Sequence, residues 1–167
     1  FQAGKGLKVD GIAGQLTQAA LAQYAHPARA GRPADAIPAG LPWMVEAQRL
    51  IGTTEVAGKG NNVDILDWAR PLDLVYDADE IPWCGLFTCH CLTSTLPDEP
   101  VPTQPLAARN WQRFGMAVTP QLGAVLVFWR GSKQGWSGHV GYYWGEDDVH
   151  YHVLGGNQSN SVNVTRI

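Results

Sequence analysis

The spacing of apolar residues changes along the chain, and this change restricts the fold more than any other feature. Up to Phe114 apolar residues recur at helical intervals, whereas from Gly123 onward they form short runs separated by turns. A period near 3.6 residues indicates helices, and short continuous or alternating runs indicate strands. Helices followed by neighbouring strands favour an α+β fold, with helices packed on one side of an antiparallel sheet.

The individual elements follow from the same spacing. The predicted helices are residues 43–51, 63–70, 84–93 and 106–114, and the predicted strands are 123–129, 139–144, 149–154 and 162–167.

Three parts of the chain differ in composition. Residues 1–25 combine a turn-rich stretch with a short helical pattern and cannot bury a core alone. Residues 26–42 are rich in proline and alanine, which is typical of a linker. We therefore expect the folded domain to occupy residues 43–167.

The overall charge limits the classes of partner. Charged residues make up 16% of the chain and the formal net charge is -3, without a cluster of basic residues. The sequence lacks the cluster of Lys and Arg residues that is typical of nucleic-acid-binding proteins, and that could also bind anionic lipid. No apolar run approaches the ~20 residues that span a bilayer. We therefore expect neither a nucleic-acid nor a membrane partner.

Cys84 is the candidate nucleophile. It follows Pro82 and Trp83 and begins the predicted helix 84–93. The positive end of the helix macrodipole favours a thiolate over a thiol at this position. The alternative is a buried structural cysteine, because free cysteines are often buried.

A thiol nucleophile needs a base and a third group that orients the base. His139 begins a predicted strand, and a turn centred on residues 146–147 would place it opposite about position 154. The loop after that position would bring Asn157 to the imidazole, where its amide would hold the tautomer. His152 is the alternative orienter, roughly 7 Å farther along the strand.

A zinc site formed by Cys84, Cys89, His90 and Cys91 is the rival interpretation. On a helix the side chains of residues 89 and 91 point about 200° apart, so they cannot share one tetrahedral ion. We therefore predict no metal and no cofactor. Cys91 is expected in the core and Cys89 at the periphery.

Short motifs occur in a fixed order from residue 42 to residue 159. They are Pro42-Trp43, Gly52-Thr53-Thr54-Glu55, Pro82-Trp83-Cys84-Gly85-Leu86-Phe87, Gly123-Ala124-Val125, Phe128-Trp129-Arg130, Gly138-His139-Val140-Gly141 and Gly155-Gly156-Asn157-Gln158-Ser159. On these motifs, residues 42–167 resemble papain-like peptidoglycan hydrolases of the CHAP and NlpC type. The resemblance implies Cys84 as nucleophile and His139 as base, with Asn157 third by the CHAP pattern or a residue near His152 by the NlpC pattern. Trp83, Asp79 and Glu80 are candidates for lining the substrate groove.

The first 25 residues resemble the C-terminal part of a peptidoglycan-binding type 1 module, a small helical wall-binding unit. The matching positions are Phe1, Gln2, Leu7, Val9, Asp10, Gly11, Ile12, Gly14, Thr17, Ala20 and Leu21.

Together these resemblances imply an enzyme that cleaves an amide bond of the peptidoglycan stem peptide and lyses bacterial cell walls. It would be an endopeptidase or an N-acetylmuramoyl-L-alanine amidase, acting in the periplasm or cell wall after export, secretion or phage delivery. An antibacterial effector of this kind would also have an immunity or inhibitor protein as partner. The alternatives are a non-hydrolytic acyltransferase on the same fold and a catalytically inactive wall-binding protein.

Overall fold

A computed structural model describes residues 37–167, which form a four-stranded antiparallel sheet and several short helices. This confirms the predicted α+β class. The predicted module 1–25 and most of the predicted linker 26–42 lie outside the described residues. The helices are α1 (Pro42–Arg49), α2 (Val63–Asp67) and α3 (Cys84–Thr93), with 3-10 helices at Arg70–Leu72 and Ala108–Arg113, and the strands are β1 (Val125–Trp129), β2 (Gly138–Glu146), β3 (Tyr151–Gln158) and β4 (Ser161–Arg166).

Helix α3 is the central element and has the bounds that its sequence predicts. Buried residues occur on every face of α3, which is typical of a helix enclosed by protein. Cys89 is fully buried, so the prediction that it lies at the periphery is wrong. At the next residue of α3, Trp68 stacks on His90 at 5.1 Å between ring centroids.

Helix α3 packs closely across β2 and β3. The hydroxyl of Tyr142 on β2 donates to the carbonyl of Thr88 at 2.7 Å. A Cβ placed on Gly156 of β3 would lie 2.6 Å from both Phe87 Cβ and the Trp83 ring. Only glycine fits such an approach, so Gly156 fixes the depth at which the start of α3 sits on the sheet.

The strands follow the order β1-β2-β3-β4, and each pair is antiparallel. On β1, Phe128 lies opposite His139. On β3, Leu154 lies opposite Tyr142, and the β2–β3 register shifts between Tyr143 and Gly145. The sequence predicts Leu154 opposite His139, which is wrong because the hairpin turn is not centred at 146–147 and the irregularity at 143–145 is invisible in the sequence.

The predicted helix 106–114 is a shorter 3-10 helix. The segment that leads into this helix is held by the Trp111 side chain, because Trp111 Nε1 donates to the carbonyl of Pro105 at 2.8 Å. The predicted helix 63–70 is likewise shorter and ends at Asp67. Within residues 37–167 no helix has the length and apolar character needed to cross a membrane.

Candidate active site

Trp83 fixes the start of α3. Its ring is 0% exposed, and Nε1 donates to Glu55 Oε1 at 2.7 Å. It also makes an edge contact with Trp68 at 5.9 Å between centroids. The prediction that Trp83 lines a substrate groove is therefore wrong, because its indole N–H finds a protein partner in the interior. Trp83 instead holds the residue that follows it, Cys84.

The glycine after the cysteine is required by a crossing segment. A Cβ on Gly85 would collide with the carbonyl oxygen of Pro105 and lie 2.8 Å from that of Leu106. Residues 105–106 therefore pass directly over the first turn of α3. Any larger residue at position 85 would displace this segment from the start of α3.

Cys84 begins α3, which packs against β2. Burial raises the pKa of the Cys84 thiol, and the smaller influence of the main-chain N–H groups of Val140, Gly85 and Cys84 itself opposes this rise. The sequence predicts a thiolate from the macrodipole alone, and this is wrong on balance because it omits the cost of removing the anion from water. In the free protein the neutral thiol is favoured.

His139 lies near the start of β2, the strand against which α3 packs. The residue is only 2% exposed. Burial lowers the pKa of His139 to about 4, although the bond that the ring donates to Gln158 opposes this shift. The charge of Arg130 has a smaller effect and lowers the pKa further. The imidazole is therefore neutral at pH 7 and can accept a proton.

Gln158 orients the imidazole. Its Oε1 lies 3.0 Å from His139 Nε2. Its amide nitrogen donates to the carbonyls of Val153 at 3.2 Å and of Asn163 at 2.7 Å, which can only accept. The amide oxygen must therefore face the ring, and Nε2 must carry the proton that it donates. Nδ1 of His139 is left unprotonated and is the basic nitrogen.

Asn157 does not take the predicted position beside His139. It has a left-handed backbone with φ 53°. With its amide oxygen turned toward Trp83, Asn157 accepts from both Trp83 N and Trp83 Nε1 at 3.2 Å. The orienting contact is made one residue later, so Asn157 supports the start of α3 instead.

His152 is remote from His139. It lies opposite Gly145 near the turn of the β2–β3 hairpin, and its Nε2 is 3.0 Å from Asp147 Oδ2. Positions 139 and 145 on one strand are roughly 20 Å apart at the usual rise. The alternative in which His152 orients the base is therefore wrong.

The two acidic groove candidates have different positions. Asp79 is fully buried, and its Oδ2 accepts from the main-chain N–H groups of Val56 at 2.9 Å and Asn62 at 2.7 Å. It closes a loop and cannot line a groove, so that prediction is wrong. Glu80 is exposed, and its role in the groove stays a prediction.

A glycine also makes room for the histidine. A Cβ on Gly155 would lie 3.3 Å from His139 Nε2 and 3.1 Å from Gln158 Oε1. The two glycines of β3 therefore make room for different neighbours. Gly155 leaves space for the His139 and Gln158 side chains, and Gly156 leaves space for the start of α3.

Sequence reasoning missed Gln158 and Arg130 as residues of the site. Gln158 belongs to the Gly-Gly-Asn-Gln motif, so the signal was present but indicated the adjacent residue. Arg130 follows the apolar run of β1, and its charge acts on both Cys84 and His139.

An apolar cavity of about 330 Å³ lies elsewhere, between the C-terminal end of α3, the second 3-10 helix and β1. None of Cys84, His139 and Gln158 lines it. Within the described part of the chain, no group of three or more His, Cys, Asp or Glu side chains could hold a metal ion.

Comparison of the chain with protein-family models, with curated proteins and with solved structures gives no match.

Proposed function

We propose that this protein is a cysteine-dependent hydrolase that cleaves an amide bond of the peptidoglycan stem peptide in the periplasm or cell wall. One observation supports the chemistry: Cys84 begins α3, which packs against β2, and the buried neutral His139 of β2 holds its Nε2 proton toward Gln158 Oε1 at 3.0 Å. These residues would supply a nucleophile, a base and an orienting group.

Because the Cys84 thiol and the His139 imidazole are both neutral before the reaction, we infer that His139 acts as a general base while the thiol attacks. Nδ1 of His139 takes the thiol proton as Cys84 Sγ bonds to the scissile carbonyl carbon. The N–H groups at the start of α3 stabilise the resulting oxyanion. The imidazolium then protonates the leaving amine, the C–N bond breaks, and a thioester remains. Water, deprotonated by His139, hydrolyses the thioester to a carboxylate and restores the thiol.

The choice of peptidoglycan is supported by the motif resemblance to papain-like wall hydrolases, which extends from Pro42 to Ser159, and by the resemblance of residues 1–25 to a wall-binding module. A helix-borne cysteine packed on an antiparallel sheet agrees with a papain-like arrangement. Both resemblances assign the same polymer as substrate.

The decisive experiment is digestion of purified peptidoglycan by the wild type and by Cys84→Ala, followed by mass spectrometry of the muropeptides. We expect the wild type to release a new amine and a new carboxylate, and in 18O-labelled water the carboxylate should carry the label. Cys84→Ala should be inactive while its circular dichroism is unchanged. Full activity of this variant, or loss of wild-type activity with a chelator, would contradict the mechanism. Transfer to an amine without label would instead identify an acyltransferase.

A further inference from the structure

Arg130 lies on the same side of the sheet as His139. Phe128 is the cross-strand partner of His139, and two residues farther along the N–H of Arg130 donates to the carbonyl of Ser137 at 3.0 Å. Side chains alternate along a strand, and directly opposed residues share a face. The side chain of Arg130 therefore projects from the face that carries the imidazole.

The guanidinium of Arg130 is exposed, and among residues 37–167 no ion pair or side-chain hydrogen bond involves it. Arg109 differs, because its guanidinium donates to the carbonyls of Gly135 at 3.1 Å and Lys133 at 3.0 Å. Arg109 thus holds the loop 130–137 in place. Arg130 therefore extends from an anchored loop, and its guanidinium is accessible to a ligand.

The charge of Arg130 reaches both reacting groups. It lowers the pKa of Cys84, where it favours the thiolate, and it lowers the pKa of His139, where it disfavours the imidazolium. Both effects are smaller than that of burial. They place the guanidinium within electrostatic reach of the thiol and the ring together.

We propose that Arg130 binds a carboxylate of the substrate next to the scissile amide, so that the enzyme selects stem peptides with a free carboxylate over their amidated forms. This inference builds on the proposed function. A guanidinium matches a carboxylate through two parallel N–H donors. At pH 7 the thiol and imidazole are both favoured in their uncharged forms, so an unpaired cation beside them attracts an anionic group to the reacting centre.

The first test uses the thiol itself and needs no peptidoglycan. The rates at which iodoacetate and iodoacetamide alkylate Cys84 are compared in the wild type, Arg130→Gln and Lys133→Gln. Lys133→Gln is the matched control, because it removes the same charge from the same exposed loop. We expect the iodoacetate-to-iodoacetamide ratio to fall about tenfold in Arg130→Gln and to remain unchanged in the control. An equal ratio in the wild type and Arg130→Gln overturns the inference.

The second test uses paired soluble muropeptides that differ only in a carboxylate or carboxamide next to the cleaved bond. We expect the wild type to prefer the carboxylate through KM, with a similar kcat for both. Arg130→Gln should lose this preference, and Arg130→Lys should keep part of it. Equal KM values for both substrates in an active wild type overturn the inference alone. Absence of any hydrolysis overturns the proposed function, and the alkylation ratio then still decides whether Arg130 recruits an anion.

Discussion

The two ends of the β2–β3 hairpin each hold a histidine, and they differ in what surrounds it. His139 Nε2 meets Gln158 Oε1 at 3.0 Å, and His152 Nε2 meets Asp147 Oδ2 at the same 3.0 Å. The first pair is buried and involves a neutral amide, whereas the second lies near the turn and involves a carboxylate. Gln158 is an uncharged partner that orients the ring of His139, whereas the contact between His152 and Asp147 braces the turn.

The largest expected difference between these ends is in catalysis. His139→Ala should lower kcat by roughly 10²- to 10⁴-fold because the thiol loses its base. His152→Ala is the matched control, and its kcat should stay within about twofold of the wild type, as its ring is remote from Cys84. Muropeptide release at pH 7 measures both variants. Equal losses would erase the functional distinction between the two histidines.

The orienting amide should have the next largest effect. Gln158→Ala leaves the buried Nε2–H of His139 without a partner, which costs about 1–3 kcal/mol and lets the ring turn. Restoring its orientation for attack adds this free energy to the barrier, so kcat should fall by roughly fivefold to 150-fold. Asn157→Ala should reduce thermal stability more than kcat, because Asn157 contacts Trp83 and not the base. Steady-state kinetics with melting curves separates the two. A larger loss of kcat in Asn157→Ala would reverse this assignment.

The dependence of activity on pH tests the burial of His139 directly. A general base must be neutral, and burial lowers the pKa of His139 from 6.5 to about 4. Activity should therefore persist as the pH falls through 6.5 and decline only near the lowered value. Gln158→Ala should move the acidic midpoint lower still, because the lost bond favours the charged ring. A wild-type midpoint near 6.5 would mean that water solvates the imidazole.

The smallest effect is expected at the turn. The bond to His152 is the first of several contacts that lower the pKa of Asp147 from its ordinary 3.8. A lowered carboxyl pKa contributes stability above the unfolded value, and this contribution is lost as pH falls through the folded value. Asp147→Asn should therefore lower Tm by a few degrees at pH 6 and by less at pH 2, with activity unchanged. Equal Tm changes at both pH values would show that charge is not involved.

Local patterns account for the parts of this molecule that were predicted well. The bounds of α3 follow from the apolar spacing after Pro82, and Cys84 and His139 stand in short motifs whose order along the chain reflects their elements. The choice between Asn157 and Gln158 could not be made this way. It depends on a left-handed residue and on an irregular β3–β4 pairing between Gly155 and Gln158, both set by contacts between strands.

The side-chain environments of Trp83 and Asp79 were also beyond the sequence. A tryptophan beside a nucleophile is compatible with either a groove or a core. Its burial is decided by Glu55, which is distant in sequence and accepts the indole proton. Asp79 is buried because two main-chain N–H groups converge on it. Among residues 37–167 its other oxygen, Oδ1, is buried without a hydrogen-bond partner. Which buried oxygen finds a partner is a property of the assembled fold.

The amide of Gln158 is fixed by Asn163 on β4, and this has a consequence for how the site is completed during synthesis. A growing chain that has reached Asn157 already contains Cys84 and His139, yet it lacks both Gln158 and the strand that anchors the Gln158 amide. The buried contact between His139 and Gln158 therefore arises only after β4 has docked at the sheet edge. Fraying of that edge in the finished protein would free the imidazole to turn without any chemical change in His139 or Cys84.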